Sequence, residues 1–202
     1  MIYLTSDTHF NHKKANEIIG RPFNSVEEAD NEMIKRWNKI VKPDNSIVYH
    51  LGDFSFGNFE DWTRIIDQLN FKQLIIIAGN HDSYKILKKI EQHYKIKYEK
   101  WPRVKIIYNG GLYNINHENI EITLSHYPML SWNKVHYNFK GENKLVSINL
   151  FGHHHGKLME FANPKTPWLK YQFDVGVDGN NFYPYILEEV ISKIKGNYNE
   201  KN

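Results

Sequence analysis

The sequence predicts an α/β chain organised on a parallel sheet, and three observations predict it. Apolar β-branched runs, most clearly Leu74-Ile75-Ile76-Ile77, stop abruptly at glycine or polar residues, as buried strands do. Between these runs in the first half lie stretches with apolar residues at helical spacing, so strand and helix alternate. The second half changes to short strand-like runs separated by turn residues, which adds further sheet.

Composition bounds the rest. With 202 residues, 41% of them hydrophobic, the chain can build one substantial core, and a single domain is expected over residues 1–196 with a polar tail at 197–202. It has no cysteine, which excludes disulfides, thiolate zinc sites and a cysteine nucleophile. A formal charge of +3 excludes a protein that coats nucleic acid by charge alone but permits local basic patches. A strand begins at Ile2 with no charged and apolar leader before it, and no run approaches the ~20 apolar residues of a membrane span. A soluble cytoplasmic protein is expected.

Ile2 to Ser6 reads as the first strand, running into Asp7-Thr8-His9. Lys13 to Ile19 reads as a short helix that Gly20 closes. Ser25-Val26-Glu27-Glu28 has the form of a capping box, Ser at the N-cap and Glu three residues later. It opens a helix with Val26, Ala29, Met33, Trp37 and Ile40 on one face, ended before Pro43. Ser46 to Leu51 is the second strand and stops at Gly52-Asp53. Asn58 caps a helix with Trp62, Ile65, Ile66 and Leu69 inward. The Leu74 strand stops at Gly79-Asn80-His81-Asp82, and a helix from Ser83 carries Ile86, Leu87 and Ile90. Val104 to Tyr108, Leu112 to Ile115 and Ile120 to Ser125 are strands, the last two a hairpin through Asn116-His117-Glu118-Asn119. Val146 to Phe151 and Gln172 to Val177 are strands, and Leu187 to Ile194 is a closing amphipathic helix followed from Gly196 by the polar tail. The span 127–144 is the longest without predicted structure, and loops that long are usually functional or disordered.

Five short clusters fall at strand ends: Asp7-Thr8-His9, Gly52-Asp53, Gly79-Asn80-His81-Asp82, Ser125-His126-Tyr127-Pro128 and Gly152-His153-His154-His155. Each alone reads more readily as a polar turn or a solvated histidine than as a site. Together, at the ends of neighbouring strands, they can converge, and strand ends are where open α/β sheets place their sites. Oxygen and imidazole donors then make a mixed metal site. A tetrahedral zinc site needs about four ligands; seven candidates here imply two ions sharing a bridge.

The ordered set D-x-H, G-D, G-N-H-D, H, G-H-x-H resembles the calcineurin-like metallophosphoesterase superfamily, over Asp7 to His155. The resemblance implies a four-layer αββα sandwich of two mixed sheets flanked by helices, with a binuclear metal centre at the strand ends. It implies that Asp7, His9 and His155 ligate the first ion, that Asn80, His126 and His153 ligate the second, and that Asp53 bridges. His81 would face the substrate as the catalytic acid with Asp82 orienting it, and His154 fills the variable position. Protein serine/threonine phosphatases of the superfamily continue the second motif as G-D-x-x-D-R-G and carry G-N-H-E; this chain reads Gly52-Asp53-Phe54-Ser55-Phe56-Gly57 and ends its third motif in Asp82. Repair nucleases add a capping domain after the last motif, where fewer than fifty residues follow here. The pattern is most similar to small stand-alone phosphoesterases of bacteria and phages.

The expected activity is hydrolysis of phosphomonoesters or phosphodiesters by direct attack of a metal-bridging hydroxide. Two divalent cations against two aspartates leave the centre positive, which suits a phosphoester anion. Without thiolates the donors suit Mn²⁺ first, with Fe, Ni²⁺ or Zn²⁺ as alternatives. The favoured partner is a nucleotide or another small phosphoester, including nucleic-acid ends. Substrate contacts are expected from His12 and Arg21 beside the first cluster, and from Trp132 and His136 in the long loop, where aromatics interleave with lysines. Two alternatives stand beside these: Trp132 as filler of a satellite core, and Arg21 as a charge at the helix end. A non-catalytic scaffold is the competing class; scaffolds of this superfamily have lost ligands or the substrate-facing histidine, and here the set is complete.

Overall fold

Four parallel strands begin the architecture: β1 (Ile2–Thr5), β2 (Ile47–His50), β3 (Gln73–Ile77) and β4 (Val104–Ile107). The computed structural model describes residues 1–97, 103–108, 111–139, 144–158, 166 and 169–199. The first sheet has the order β4-β3-β2-β1-β9, closed by β9 (Tyr185–Ile186), which is antiparallel to β1. A second sheet has the order β5-β6-β7-β8, from β5 (Leu112–His117), β6 (Ile120–Ser125), β7 (Ser147–Phe151) and β8 (Gln172–Asp174). In it β5 is antiparallel to β6, and β6, β7 and β8 are parallel. Both sheets are therefore mixed, as expected.

The first sheet is covered on both faces, which is why its strands read as continuous apolar runs. Tyr3, Val48, Leu74, Ile76, Val104 and Ile106 pack against α2 (Val26–Ile40), α3 (Phe59–Ile66) and α4 (Tyr84–Lys97), through residues such as Met33, Trp37, Trp62, Ile65 and Leu87. The alternate residues Leu4, Tyr49, Ile75 and Ile77 join Ile122, Leu124, Ile148 and Leu150 of the second sheet in a separate core. Each buried Ile or Leu contributes about 1.5–3 kcal/mol relative to exposure. The other face of β6 and β7 carries Thr123, Ser147 and Asn149. Over it lies the 127–139 segment with its 3-10 turn Val135–Phe139, rather than a long helix. The closing helix α5 (Leu187–Asn199) packs on β1, β8 and β9.

Several local readings shift. The first helix, α1, begins at Ala15 rather than Lys13 and ends at Ile19, with Gly20 left-handed behind it. Ser25 does cap α2, accepting from Glu28 N at 3.1 Å. The reciprocal half is absent, because the Glu28 carboxylate takes Asn24 N at 2.8 Å instead. The full capping box is at α3, between Asn58 and Asp61. The hairpin turn is two residues, Glu118 and Asn119, with φ of 49° and 65°, the left-handed pair of a type I′ turn. The strand expected to reach Val177 ends at Asp174, and Val177–Asn180 is a 3-10 turn. The backbone expected to form a polar tail from 196 is helical to Asn199; 200–202 and 140–143 lie outside the described residues. Among the described residues no helix is long and apolar enough to cross a membrane.

Candidate metal centre

The five clusters follow the carboxyl ends of β1, β2, β3, β6 and β7, and the loops beyond those strands stay paired. Asp7 N donates to Gly52 O, His9 N to Asp53 O, Phe10 N to Phe54 O, and Gly152 N to His126 O, each at 3.0 Å. Within this scaffold five of the seven proposed ligands have left-handed backbone: Asp7 (φ 57°), His9 (49°), Asp53 (55°), His153 (71°) and His155 (51°). Asp and His tolerate that region better than most residues, yet each such residue costs on the order of 1–3 kcal/mol and is typical of functional sites. The loops also approach too closely for side chains at the cluster glycines Gly52, Gly79 and Gly152. A Cβ at Gly79 would collide with the backbone nitrogen and carboxylate of Asp53, and one at Gly152 with Ser6 Oγ and the Asp7 carboxylate.

The side chains converge in two groups. Donor atoms of Asp7, His9 and His155 lie within 4.8 Å of one another, and so do those of Asp53, His126 and His153. Asp53 joins the groups: its Oδ2 is 3.7 Å from His9 Nε2 and 3.5 Å from His126 Nε2. Its Oδ1 accepts from His81 N at 2.8 Å. Asn80 Oδ1 lies 2.8 Å from His126 Nε2, which brings the seventh residue in.

The arrangement fits cations. His126 Nδ1 faces Leu51 O at 2.8 Å, and a carbonyl only accepts, so Nδ1 carries the proton. Burial lowers the His126 pKa and favours the neutral ring, against the opposing pull of Asp53. Its Nε2 lone pair then faces two more lone-pair atoms, Asn80 Oδ1 and Asp53 Oδ2, with no proton to share. Asp7 is buried, its Oδ1 has no hydrogen-bond partner, and burial pushes its carboxyl up to about 7. Burial likewise drives His9 down to about 2, so it is a neutral donor. The buried Asp7 carboxylate, with one oxygen unpartnered and the neutral His9 ring beside it, calls for positive charge, which a divalent ion supplies. Asp7, His9, His155 and Asp53 would hold one ion; Asp53, Asn80, His126 and His153 the other.

His81 is exposed at the rim, its ring centroid 5.7 Å from that of His9 and 5.4 Å from that of Phe56. Asp82 does not orient it. The Asp82 carboxylate accepts from Asp53 N and Gly79 N through Oδ2 and from Phe54 N through Oδ1, all at 2.9 Å. It is spent on stitching two loops together. Of the expected substrate contacts only His12 stands beside the centre, stacked on Phe56 at 4.0 Å with its ring 5.7 Å from that of His9. Arg21 is a correction: its side chain is 1% exposed and its guanidinium is engaged by Asp178 and backbone carbonyls, so no face remains for a substrate. Trp132 is a second one: it is 7% exposed in the second core and donates to Ser147 Oγ at 3.0 Å. His136 is exposed on the 3-10 turn and packs on Tyr137.

Sequence reasoning missed three participants. Asp178 accepts from His155 Nδ1 at 2.7 Å; an acid just past β8 follows the same strand-end logic as the five clusters. Buried His50 pairs through Nε2 with Thr8 Oγ1 at 2.9 Å, behind the D-x-H turn. Tyr127, 49% exposed, lays its ring 4.5 Å from that of His153, and its place next to a ligand histidine was the available signal.

Comparison with known proteins agrees with this geometry. The chain is 31% identical over 199 residues to the uncharacterized protein MJ1445 of Methanocaldococcus jannaschii, covering 96% of this chain and 91% of that one. It is 37% identical over 84 residues to the Gene 66 protein of Mycobacterium phage L5, covering 40% and 39%. The crystal structure of AQ665 from Aquifex aeolicus, a protein of unknown function, superposes with a TM-score of 0.62 at 25% identity, covering 95% of this chain and 98% of that one. The family model described as calcineurin-like phosphoesterase matches residues 1–157, and with seven candidate donor residues drawn together at the strand ends, this chain belongs to the calcineurin-like phosphoesterase family.

Proposed function

We propose that this centre hydrolyses phosphoesters, with water as the nucleophile and two divalent cations as cofactor, Mn²⁺ foremost and Fe, Ni²⁺ or Zn²⁺ as alternatives. The observation that carries the reading is Asp53, whose Oδ2 faces His9 Nε2 at 3.7 Å and His126 Nε2 at 3.5 Å and so links the two donor groups. Two cations held there would supply charge to phosphoryl oxygens and lower the pKa of a bound water. The chain's own groups do the rest. Asp53 Oδ1, by accepting from His81 N, holds His81 at the rim of the centre. From there the exposed imidazole donates a proton to the departing oxygen or stabilises its charge. Asp82 keeps the Gly52 and Gly79 loops in register, so the bridge and His81 stay in fixed relation.

The favoured substrate is a nucleotide or nucleic-acid-derived ester, with His12 retained from the contacts the sequence suggested and Tyr127 standing in place of Arg21 and Trp132. Tyr127, exposed beside His153, offers a ring face for stacking. His12 lines the opposite approach, beside His9. The test is a substrate panel with the full chain in Mn²⁺: p-nitrophenyl phosphate, its bis ester, 2′,3′- and 3′,5′-cyclic nucleotides, and single-stranded oligonucleotides. Turnover that vanishes with chelator and returns with Mn²⁺ is expected, together with a higher melting temperature in metal. Turnover that survives exhaustive chelation, with no metal found by elemental analysis, refutes it.

A further inference from the structure

Arg21 is buried more completely than a surface helix-end charge has reason to be, and its hydrogen bonds lead to the centre. Gly20 ends α1 in a left-handed turn, and Arg21 N closes it on Asn16 O at 2.9 Å, directing the side chain inward. The guanidinium grips Asp178 with two prongs, Nε to Oδ1 at 2.8 Å and Nη2 to Oδ2 at 3.0 Å. Nη2 also donates to Asp7 O at 2.6 Å and Nη1 to Thr8 O at 2.8 Å, with Met33 Sδ 3.9 Å from Nη1. Every N–H of the fork faces a partner.

Asp178 passes this on. Its Oδ2 accepts from His155 Nδ1 at 2.7 Å. A carboxylate gripped by a guanidinium on one side accepts on the other, so His155 carries a proton on Nδ1, and Nε2 is the nitrogen through which the ring would bind a metal. One guanidinium thus touches the backbone of Asp7 and Thr8 and, through one carboxylate, the ring of His155. A buried ion pair is often no more stable than apolar packing of the same volume, so stability alone does not account for it.

We propose that Arg21, acting through Asp178, is the positioning residue of the first metal position, fixing His155 and the Asp7-Thr8-His9 turn in ligating geometry. This rests on the two-cation reading above. Lysine cannot substitute, because the bridge needs a planar fork that reaches a carboxylate and two carbonyls at once.

The test is Mn²⁺ titration of the full chain by calorimetry, for wild type, Arg21→Lys and Asp178→Asn. Asp178→Asn keeps size and an acceptor but removes the charge that Arg21 and His155 share. The expected result is that one of the two Mn²⁺ affinities falls by about 10–100-fold, the usual effect of losing a ligand's outer partner, while the other stays within about threefold. Affinities unchanged in both variants, or both falling together, overturn the proposal. Should a variant fail to fold, long-range ¹H–¹⁵N spectra of histidine-labelled, metal-free wild type decide the matter. The proposal requires His155 as the Nδ1–H tautomer, its proton shifted downfield by the carboxylate; a proton on Nε2 overturns it. Wild type that binds no Mn²⁺ would refute the two-cation reading, and the tautomer would still be measured on its own.

Discussion

Asp82 separates a loop clamp from a catalytic partner, and the structure gives the size of the effect. Three backbone N–H groups, on Asp53, Phe54 and Gly79, converge on its two oxygens at 2.9 Å. Asp82→Ala leaves all three without that acceptor. Hydrogen bonds to a charged group are each worth about 1.5–3 kcal/mol, and because water can enter these part-buried positions the three together should come to about 3–5 kcal/mol. For a chain of this length that is a drop of about 10 °C in melting temperature. Asp82→Asn retains one acceptor oxygen, which can serve Asp53 N and Gly79 N or Phe54 N but not all three, so its loss should lie between wild type and alanine. The assay is urea unfolding of metal-free protein at pH 8, above the value of about 7 to which burial pushes this carboxyl. Metal is left out because it would stabilise the folded state and mask the difference. Suppose instead that Asp82→Ala unfolds within about 1 kcal/mol of wild type yet loses as much rate as a His81 variant. Then Asp82 would be acting through the His81 ring, and the clamp argument would be wrong.

Other expectations follow from the same geometry. Asp53→Asn withdraws a carboxylate that faces both donor groups, so elemental analysis should show occupancy falling at both positions; two ions per chain with normal turnover would contradict it. His81→Gln should keep both ions and lose on the order of 10²–10⁴ in rate on alkyl or nucleoside esters, the range of a general acid. Its loss on p-nitrophenyl esters should be smaller, because that leaving group needs little protonation; equal losses on both would assign His81 to binding. Trp132→Ala should destabilise by about 3–5 kcal/mol, as for a large buried aromatic, with KM for nucleotides unchanged. A raised KM with normal stability would return Trp132 to the substrate.

What the sequence alone determined was the set of candidate metal donors and the strands that carry them. A β-branched run broken by glycine announces a strand end, and strand ends of one parallel sheet lie side by side, so Asp7, Asp53 and Asn80 had to be neighbours before any coordinate was known. The helices were legible for the same reason, since a one-sided apolar period records which face is buried; the hairpin was legible through its polar turn. What tertiary structure alone decided was what each polar side chain bonds to. Asp82 looked like a companion of its neighbour His81, yet its carboxylate crosses to the backbone of Asp53 and Phe54, about thirty residues away. Trp132 looked like a stacking platform because a loop aromatic carries no period to reveal burial, and only the packing of β7 beneath it shows that its ring is core. Arg21 looked like a substrate contact, or else a charge at the helix end, and its partner Asp178 is 157 residues further along the chain. Local periodicity reports the face an element hides, because burial acts along the element itself. A hydrogen bond between distant segments leaves no period in either of them, so it is settled only when the chain has closed.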